Sequence, residues 1–399
     1  MSNKGFTQFD GYDIEYLKLT TLEGVEYDIK NFMIEMNIYT SIYEKSITGS
    51  LLLMDGVNML CNLPIMGGER IQVSWRTKGR NRWKRTQFRV EKVSERDDAE
   101  KSSNYRLQLI SEDQFFELTN PTSRGYEGTY SDIITTTVNN LVGQRPLEAT
   151  PTIGIQKFAS PMWTPFQLIE WCVNRAVGNN GVPFVFYEDL DGYKLRNVSD
   201  MLTADSTARL YKQPQGIEFD PIKILRNIEH IEWRPNRDVT AMARTGGMGN
   251  LESVFDFNTK TVVNTHRQYE DLFASTGHLD KHPVNIDERE YSHNIWLLKA
   301  QDGSHNGRYA RDVLDATLDH TSLGIILPGD DEMVLGGVYD FNPPSPEPSI
   351  DGEAPVEKYS SGRWLTTSIR HTLRANGYKM AVEIAKDSYS TQLEGKFNG

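Results

Sequence analysis

The sequence is short of cysteine, since its 399 residues include only Cys61 and Cys172. Both stand among apolar neighbours, so we expect neither a disulfide framework nor a cysteine-rich zinc site. This scarcity predicts folding in a reducing compartment. No run of about eighteen apolar residues occurs, and the first residues carry no apolar signal core, which predicts a soluble chain made inside the cell without a membrane anchor.

The sequence also lacks an excess of positive charge. Its 43 Lys and Arg residues stand against 55 Asp and Glu residues, which gives a formal net charge of -12. A dedicated duplex-DNA-binding protein is expected to be basic, so this balance argues against that class and leaves only local basic patches open. A chain of this length exceeds one ordinary core, and we expect about two to four domains.

Common catalytic signatures are missing as well. There is no Gly-x-Ser-x-Gly elbow, no His-Glu-x-x-His zinc pair and no setting for a cysteine nucleophile. Glu112 and Asp113 are an ordinary acid pair that does not by itself indicate a glycosidase. The glycines at 246–249 lack the lysine and the strand-to-helix context of a phosphate loop, and predict a mobile turn or hinge. We predict no catalytic residue and no cofactor.

Two acidic or histidine-containing clusters invite a metal-binding interpretation. Five of the eight histidines fall between His266 and His305, and His278, Asp280 and His282 have a spacing that could serve one metal ion. No regular helix is evident there, so the ligand geometry lacks support, and surface histidines are the preferred interpretation. The acidic run at 188–192 lacks the alternating ligands and distal glutamate of a calcium loop and is interpreted as a hairpin turn. No metal site is predicted.

β-strand patterns dominate the residues that are present. Residues 14–118 are rich in period-two alternation, as in Phe32–Tyr39 and Gly49–Met54, which predicts an antiparallel β domain. Helical periodicity follows at residues 131–141, where Ile134 and Val138 share a face.

A helix and a hairpin are predicted between residues 161 and 195. Thr164 and Gln167 form a capping box, with Pro165 at the first helical position. Gly178 is expected to supply a left-handed C-terminal cap, and Asp191-Gly192 to form a two-residue hairpin turn. Folding chemistry explains the whole stretch, which is therefore interpreted as a spacer rather than a substrate site.

The most informative pattern is an internal repeat. Three segments recur in the same order late in the chain: Gly67–Val73 with Gly329–Leu335, Phe88–Val93 with Trp364–Ile369, and Tyr105–Leu109 with Tyr378–Val382. In the second pair an aromatic residue comes first and an aliphatic residue last, as two related strands filling the same core positions require. The repeat predicts two homologous antiparallel β-barrels in one chain.

The predicted fold is mainly β with α+β parts. The predicted domains are a first barrel at 1–118, a helix-and-hairpin domain at 119–215, a second barrel at 216–249 and 306–388, an inserted domain at 250–305, and a C-terminal tail at 389–399. A strand-like run at Ile228–Trp233 opens the second barrel, and Arg308–Leu314 predicts a short return helix.

The two barrels carry different loops. The run from Arg76 to Arg89 contains seven basic residues and no acid. It is interpreted either as a solvated hairpin that protects a sheet edge or as a contact for an acidic partner or a passing nucleic acid. The loop at 342–355 is proline-rich and predicted to be extended or mobile. The candidate partner-contact residues are Arg80, Arg82, Trp83, Lys84, Arg85, Asp189, Leu190, Pro343, Pro344 and Pro346.

This arrangement resembles the central baseplate hub proteins of T-even-type contractile phage tails, in order and over most of the chain. The motifs that carry the resemblance are short: Met54-Asp-Gly56, Gly67-Gly-Glu69, Trp163-Thr164, Ala176-Val-Gly178 and Phe184-Val-Phe186. The resemblance implies two tail-tube-like barrels with a helix-and-hairpin domain between them and a further domain inserted into the second.

The resemblance also implies a function. Such a hub is a homotrimer whose six barrels form a pseudo-six-fold ring between the six-fold tail tube and the three-fold spike. Its implied partners are the central spike protein, the tail-tube or tube-initiator protein, surrounding baseplate proteins and the tape-measure protein, with DNA only in transit. Its implied location is the virion baseplate, after assembly in the host cytoplasm, and the protein would not be an enzyme.

Two alternatives stay open. One is a tail-associated peptidoglycan hydrolase that uses acids or histidines of the inserted domain. The other is a receptor- or glycan-binding tail protein, for which Trp233 and Trp296 are candidate platforms, although both are more simply explained as core or interface residues.

Overall fold

The computed structural model describes residues 11–57, 59–63, 65–99, 102–117, 119–178, 181–213, 220–234, 249–284, 293–299, 307–318, 321–345 and 355–392. The fold is mainly antiparallel β with several sheets and a smaller share of helix, which confirms the predicted class. Among these residues, no helix is both long and apolar enough to cross a membrane.

One thirteen-stranded sheet runs through both predicted barrels. The first part of the chain contributes β1 (Tyr12–Thr20), β2 (Glu26–Asp28), β3 (Met33–Ser41), β4 (Thr48–Asp55), β5 (Arg70–Thr77), β6 (Lys84–Asp98) and β7 (Ser103–Ser111). Short helices accompany them: a 3-10 turn at Lys30–Phe32, α1 (Met59–Asn62) and α2 (Glu112–Glu117). In β7 buried residues alternate with partly buried ones, as expected where successive side chains point to opposite faces of a sheet.

A helix-and-hairpin region follows. It contains β8 (Gly125–Gly128), α3 (Tyr130–Asn139), β9 (Leu147–Ala149), β10 (Gln156–Ala159), α4 (Pro165–Val173), β11 (Phe184–Asp189), β12 (Gly192–Asn197) and α5 (Val198–Thr203). The capping box at Thr164 and Gln167 is present in full, with Pro165 in the first turn, as predicted. This region has its own apolar core, which includes Ile134, Ile169 and Cys172.

Two local predictions in this region are wrong. The helix α4 ends at Val173 with Asn174 as its C-cap, and Gly178 does not have a positive φ. An added Cβ at Gly178 would lie 2.4 Å from the Asn197 side-chain amide, so a larger residue there would displace that side chain. In the hairpin, Asp189 pairs with Gly192, so the two turn residues are Leu190 and Asp191, one position earlier than predicted.

The rest of the chain returns to the large sheet around an insertion. The elements are β13 (Ala208–Arg209), α6 (Pro221–Leu225), β14 (His230–Arg234), β15 (Gly249–Asp256), β16 (Thr261–Gln268), α7 (Tyr269–Ser275), β17 (His282–Pro283), β18 (His293–Leu298), α8 (Arg308–Leu318), β19 (Thr321–Pro328), β20 (Val338–Phe341), β21 (Gly362–Arg374), β22 (Gly377–Lys386) and β23 (Ser388–Tyr389). The insertion contributes a separate three-stranded sheet, β16-β15-β18. The return helix α8 begins where it was predicted and is longer.

Strand order reveals the internal repeat in three dimensions. The first unit runs β3-β4-β7-β6-β5, and the second runs β14-β19-β22-β21-β20. Both long strands have a bulge at the same place, between Val90 and Lys92 in β6 and between Thr366 and Ser368 in β21. Since a bulge re-aims every later side chain, its repetition makes the two units structurally equivalent.

The structure corrects two of the three aligned segments. Residues 329–335 are a turn rather than a strand, and the counterpart of β5 is β20, which begins at Val338. Val93 lies opposite Leu107, and Ile369 lies opposite Val382, so these two partners are equivalent. The alignment of Tyr105 with Tyr378 is therefore displaced by two residues.

The two units join edge to edge within the chain. Residues Ser368–Arg374 of β21 pair antiparallel with residues 35–41 of β3, and we name this junction the intrachain seam. One apolar core continues through both units and includes the fully buried Trp75 and Trp364. The intrachain seam and the shared core hold the repeated units side by side.

Candidate functional site

The basic loop is a joint between parts of this chain. Arg80 lies 3.2 Å from an Asp330 carboxylate oxygen and 2.7 Å from a Glu332 carboxylate oxygen. Nearby, the Thr77 hydroxyl donates to the Gly329 carbonyl at 3.2 Å and accepts from the Asp331 amide at 3.0 Å. The loop of the first unit therefore binds the 329–332 turn of the second.

The same loop also holds the hairpin. The ammonium of Lys84 lies 2.9 Å and the guanidinium of Arg82 lies 3.0 Å from the Asp191 carboxylate. Lys84 is nearly buried, whereas the Arg82 side chain is 69% exposed, so only the Lys84 pair is shielded from solvent. The Asp189 carboxylate accepts from the backbone amides of Asp191 and Gly192, which closes the turn.

The remaining loop candidates lie at the surface or pack locally. Arg85 is 61% exposed and reaches Glu15 at 3.3 Å. The guanidinium of Arg76 stacks 4.3 Å from the centre of the Trp83 ring. Leu190 is half-buried and packs against the main core.

The proline-rich loop is described only at its two ends. The Pro343 carbonyl accepts from the Glu357 amide at 2.9 Å, and Pro343 is buried. Pro344 forms an isolated bridge with Val356 and is exposed. Pro346 lies outside the described residues, as does most of the predicted glycine hinge at 246–249. The role of all these candidates in partner contact stays a prediction.

Glu188, which the sequence predicts to lie in an ordinary hairpin, is a fully buried carboxylate at the joint. One carboxylate oxygen accepts from the Ile47 amide at 2.9 Å, and the other lies 2.9 Å from an Arg145 nitrogen. Burial raises the pKa of Glu188 to about 7, because the Arg145 charge and the Ile47 bond offset only part of the desolvation. The hairpin thus places a titrating group against the β3–β4 turn.

A second buried charge cluster attaches the insertion to the second unit. Lys386 is fully buried and its ammonium contacts the Asp280 carboxylate and the Ser361 carbonyl. Burial lowers the pKa of Lys386, with Asp280 opposing that shift. The Asp280 amide in turn donates to the Ser388 hydroxyl at 2.7 Å. The sequence gives no sign of a buried charge at Lys386, because this residue simply continues the pattern of a regular strand.

His278 is engaged on both ring nitrogens. Nδ1 lies 2.6 Å from an Asp387 carboxylate oxygen and Nε2 lies 2.7 Å from the Thr276 hydroxyl. That order of groups is the order of a nucleophilic triad, but the Thr276 hydroxyl donates its single proton to the Leu272 carbonyl at 2.7 Å. The His278 side chain is 4% exposed. Through these contacts the cluster attaches the insertion to the second unit.

The described residues bear differently on the metal and the glycan interpretations. Within the described part of the chain, no group of three or more His, Cys, Asp or Glu residues is arranged to hold a metal ion. Trp233 and Trp296 are both exposed, at 44% and 68%, so neither is a core residue of the chain as it stands.

The large sheet has several open edges among the described residues, and one of them is the short strand β2, which pairs only with β1. Among the described residues, β14 pairs only with β19, and residues 91–98 of β6 pair only with β7. β5 pairs with residues 84–89 of β6 and makes no ladder pair with residue 91 or any later residue. An unpaired strand edge presents backbone donors and acceptors to any chain that reaches it.

These features define a mainly antiparallel β fold: two equivalent strand units lie side by side, intramolecular ion pairs join its parts, and the described residues leave open sheet edges. No protein-family model and no curated protein matches the sequence. Solved structures do match over nearly the whole chain.

The tail protein from Neisseria meningitidis superposes with a TM-score of 0.58 at 13% identity, covering 94% of this chain and 97% of that chain. The 43 kDa tail protein of prophage MuSo2 from Shewanella oneidensis superposes with a TM-score of 0.59 at 10% identity, covering 94% of this chain and 99% of that chain. This chain therefore has the fold of these tail proteins.

Proposed function

We propose that this chain is the structural hub of a contractile phage tail baseplate, a homotrimer whose six strand units form a pseudo-six-fold ring between the tail tube and the central spike. The observation that carries the proposal is the repeated unit, present twice in one continuous sheet. Three such chains offer six similar surfaces to a six-fold partner and three identical ones to a three-fold partner.

The proposal assigns a separate role to each part of the chain. The units at 1–118 and at 216–249 with 306–388 would bound the channel, the domain at 119–215 would act as a spacer, and the insertion at 250–305 would decorate the outside. The partners would be the spike, the tube or tube-initiator protein, surrounding baseplate proteins and the tape-measure protein, with DNA in transit through the channel of the assembled virion. Arg82, Arg85 and Pro344 are the exposed loop candidates for such contacts.

The assembly state tests this proposal. We expect the full-length chain, mixed with the spike protein from the same tail, to sediment as a complex of three hub chains and to form rings in electron micrographs. We expect assembly because the open edges that the described residues leave can pair with strands of another chain. A hub chain that stays monomeric with the spike present, and forms no ring, would rule the proposal out.

A hydrolase is the second candidate, favoured only by the Thr276–His278–Asp387 order of groups. A turbidity assay on peptidoglycan separates it from the hub. Clearing of the suspension by the wild-type chain, and its loss in His278→Ala, would favour the hydrolase. We expect no clearing, because the Thr276 proton is already donated to the Leu272 carbonyl.

A further inference from the structure

We infer that the ring closes by antiparallel pairing of residues 94–98 of β6 in one copy with β14 of the next copy, in a register that sets Ser94 opposite Arg234. This inference rests on the proposed homotrimer and adds which strands meet and at which residues. Its source is the intrachain seam, where the equivalent strands already meet within one chain.

Strand direction permits the pairing. From β14 to β6 the strand order is β14-β19-β22-β21-β3-β4-β7-β6, and every neighbouring pair in this series is antiparallel. Since the series has an even number of strands, β14 and β6 run in opposite directions. A rotation that brings the next copy alongside therefore sets its β14 antiparallel to β6, as a continued sheet requires.

The repeat gives the position on β6. Ile369 lies opposite Val382, and Val93 lies opposite Leu107, with the shared bulge just before each pair. Ile369 and Val93 are therefore equivalent, and so are the residues that follow them, Arg370 and Ser94.

The same ladder gives the position on β14. Leu107 pairs with Leu51, which pairs with Met36, and in the second unit Val382 pairs with Ile325, which pairs with Ile231. Met36 and Ile231 are thus equivalent. Three residues further along each strand stand Tyr39 and Arg234.

The intrachain seam pairs Arg370 with Tyr39. Replacing each by its equivalent in the other unit gives Ser94 opposite Arg234 of the neighbouring copy. Arg234 and the residue it would face are both at the open edges, and Arg234 is exposed. The occupant that fits this edge is a second copy of the same chain.

The two kinds of seam differ in strength. The intrachain seam is reinforced by Arg374 donating to Glu35 at 2.6 Å and by Arg370 and Thr372 donating to Asn37 at 3.0 and 2.9 Å. In β6 a second register shift follows Ser94, and Glu95 has a φ of 52°. Because a bulge interrupts the ladder, we expect the pairing between chains to contain fewer regular backbone pairs than the intrachain seam. The ring should therefore open between chains.

Disulfide cross-linking tests the register. Directly opposed residues have Cα atoms about 4.5–5.5 Å apart, within disulfide range. We expect Ser94→Cys/Arg234→Cys to form covalent dimers and trimers on oxidation. The matched pair Tyr39→Cys/Arg370→Cys should cross-link within single chains. The displaced pair Ser94→Cys/His230→Cys, about 13 Å off along the strand, should give little product, as should each single-cysteine variant.

The outcomes separate this inference from the proposed function. Interchain products from Ser94→Cys/Arg234→Cys alone support the register. Trimers that form but cross-link equally well through His230→Cys, or through no pair, overturn the register and leave the hub intact. Absence of trimers, with the intrachain control still cross-linking, overturns the hub itself and the inference with it.

Discussion

The ends of the last strands of the two repeated units occupy the same place in the fold and hold different domains. Ser111 ends β7 and Lys386 ends β22, and the ladder makes them equivalent. After Ser111 come Glu112 and Asp113, whereas after Lys386 come Asp387 and Ser388. Each of these two residue pairs attaches a further domain to its own unit.

In the first unit, Asp113 makes the attachment. Its carboxylate accepts from the Gly143 amide at 2.6 Å and from the Tyr193 hydroxyl at 2.8 Å, both in the helix-and-hairpin region. Glu112 instead turns back to Arg70 and Arg89 of its own unit. This anchor therefore consists of the Asp113 carboxylate and two neutral hydrogen-bond donors.

In the second unit, full charges make the attachment. Lys386 contacts Asp280, and Asp387 contacts His278 and accepts from the Leu279 amide at 3.1 Å. The comparison teaches that buried apolar residues form the framework that the two units share, whereas the polar residues beyond the strand end determine which domain is attached. It also predicts that the charged anchor is the more sensitive of the two, since a buried charge that loses its partner is costly.

The largest expected effect comes from removing the buried ammonium of the charged anchor. Lys386→Met leaves the Asp280 carboxylate buried without its cation, and we expect a loss of about 3–5 kcal/mol in the free energy of unfolding, measured by urea denaturation. Lys18→Met, which breaks an exposed ion pair with Glu26, should cost at most about 1 kcal/mol. Equal losses in the two variants would contradict the comparison.

The next effect is a pH dependence at the hairpin joint. Because burial raises the pKa of Glu188 to about 7, its contribution to stability is full below its ordinary value of 4.5 and is lost as the pH rises towards 7. The unfolding free energy of wild type relative to Glu188→Gln should therefore fall by about 3 kcal/mol between about pH 5 and about pH 8.

His371 provides the opposite slope within the same molecule. Burial lowers its pKa to about 3, so stability is lost as the pH falls below its ordinary value of 6.5. This contribution is common to wild type and Glu188→Gln and cancels in their difference. A difference that stays constant with pH would show that Glu188 does not titrate in this range.

The smallest effects distinguish the two anchors directly. Asp113→Ala leaves the partly buried Gly143 amide and the buried Tyr193 hydroxyl without an acceptor and should cost about 1–3 kcal/mol, whereas Ser388→Ala removes a hydroxyl and should cost about 1 kcal/mol. Hydrogen exchange should rise around Gly143 and Tyr193 in the first variant and around Asp280 in the second. A rise in the same region for both variants would mean that the anchors are not separate.

Sequence patterns predicted much of the local structure. The capping box of α4, the return helix α8 and the equivalent strand segments Phe88–Val93 and Trp364–Ile369 depend on neighbours within a few residues, and their patterns are visible in the printed chain. The alignment with Gly67–Val73 predicts a strand at 329–335, where the structure has a turn, and the predicted hairpin turn lies one residue too late.

What the sequence by itself determined is the repeat, since burial of an aromatic and an aliphatic residue at equal spacing forces two segments into equivalent core positions. Only the tertiary structure decided where the charges go. Arg80 finds Asp330 across 250 residues of chain, and Glu188 is buried against Ile47, because folding brings distant segments into contact. Local spacing holds no information about such partners, and the seam between β3 and β21 likewise depends on the meeting of two distant edges.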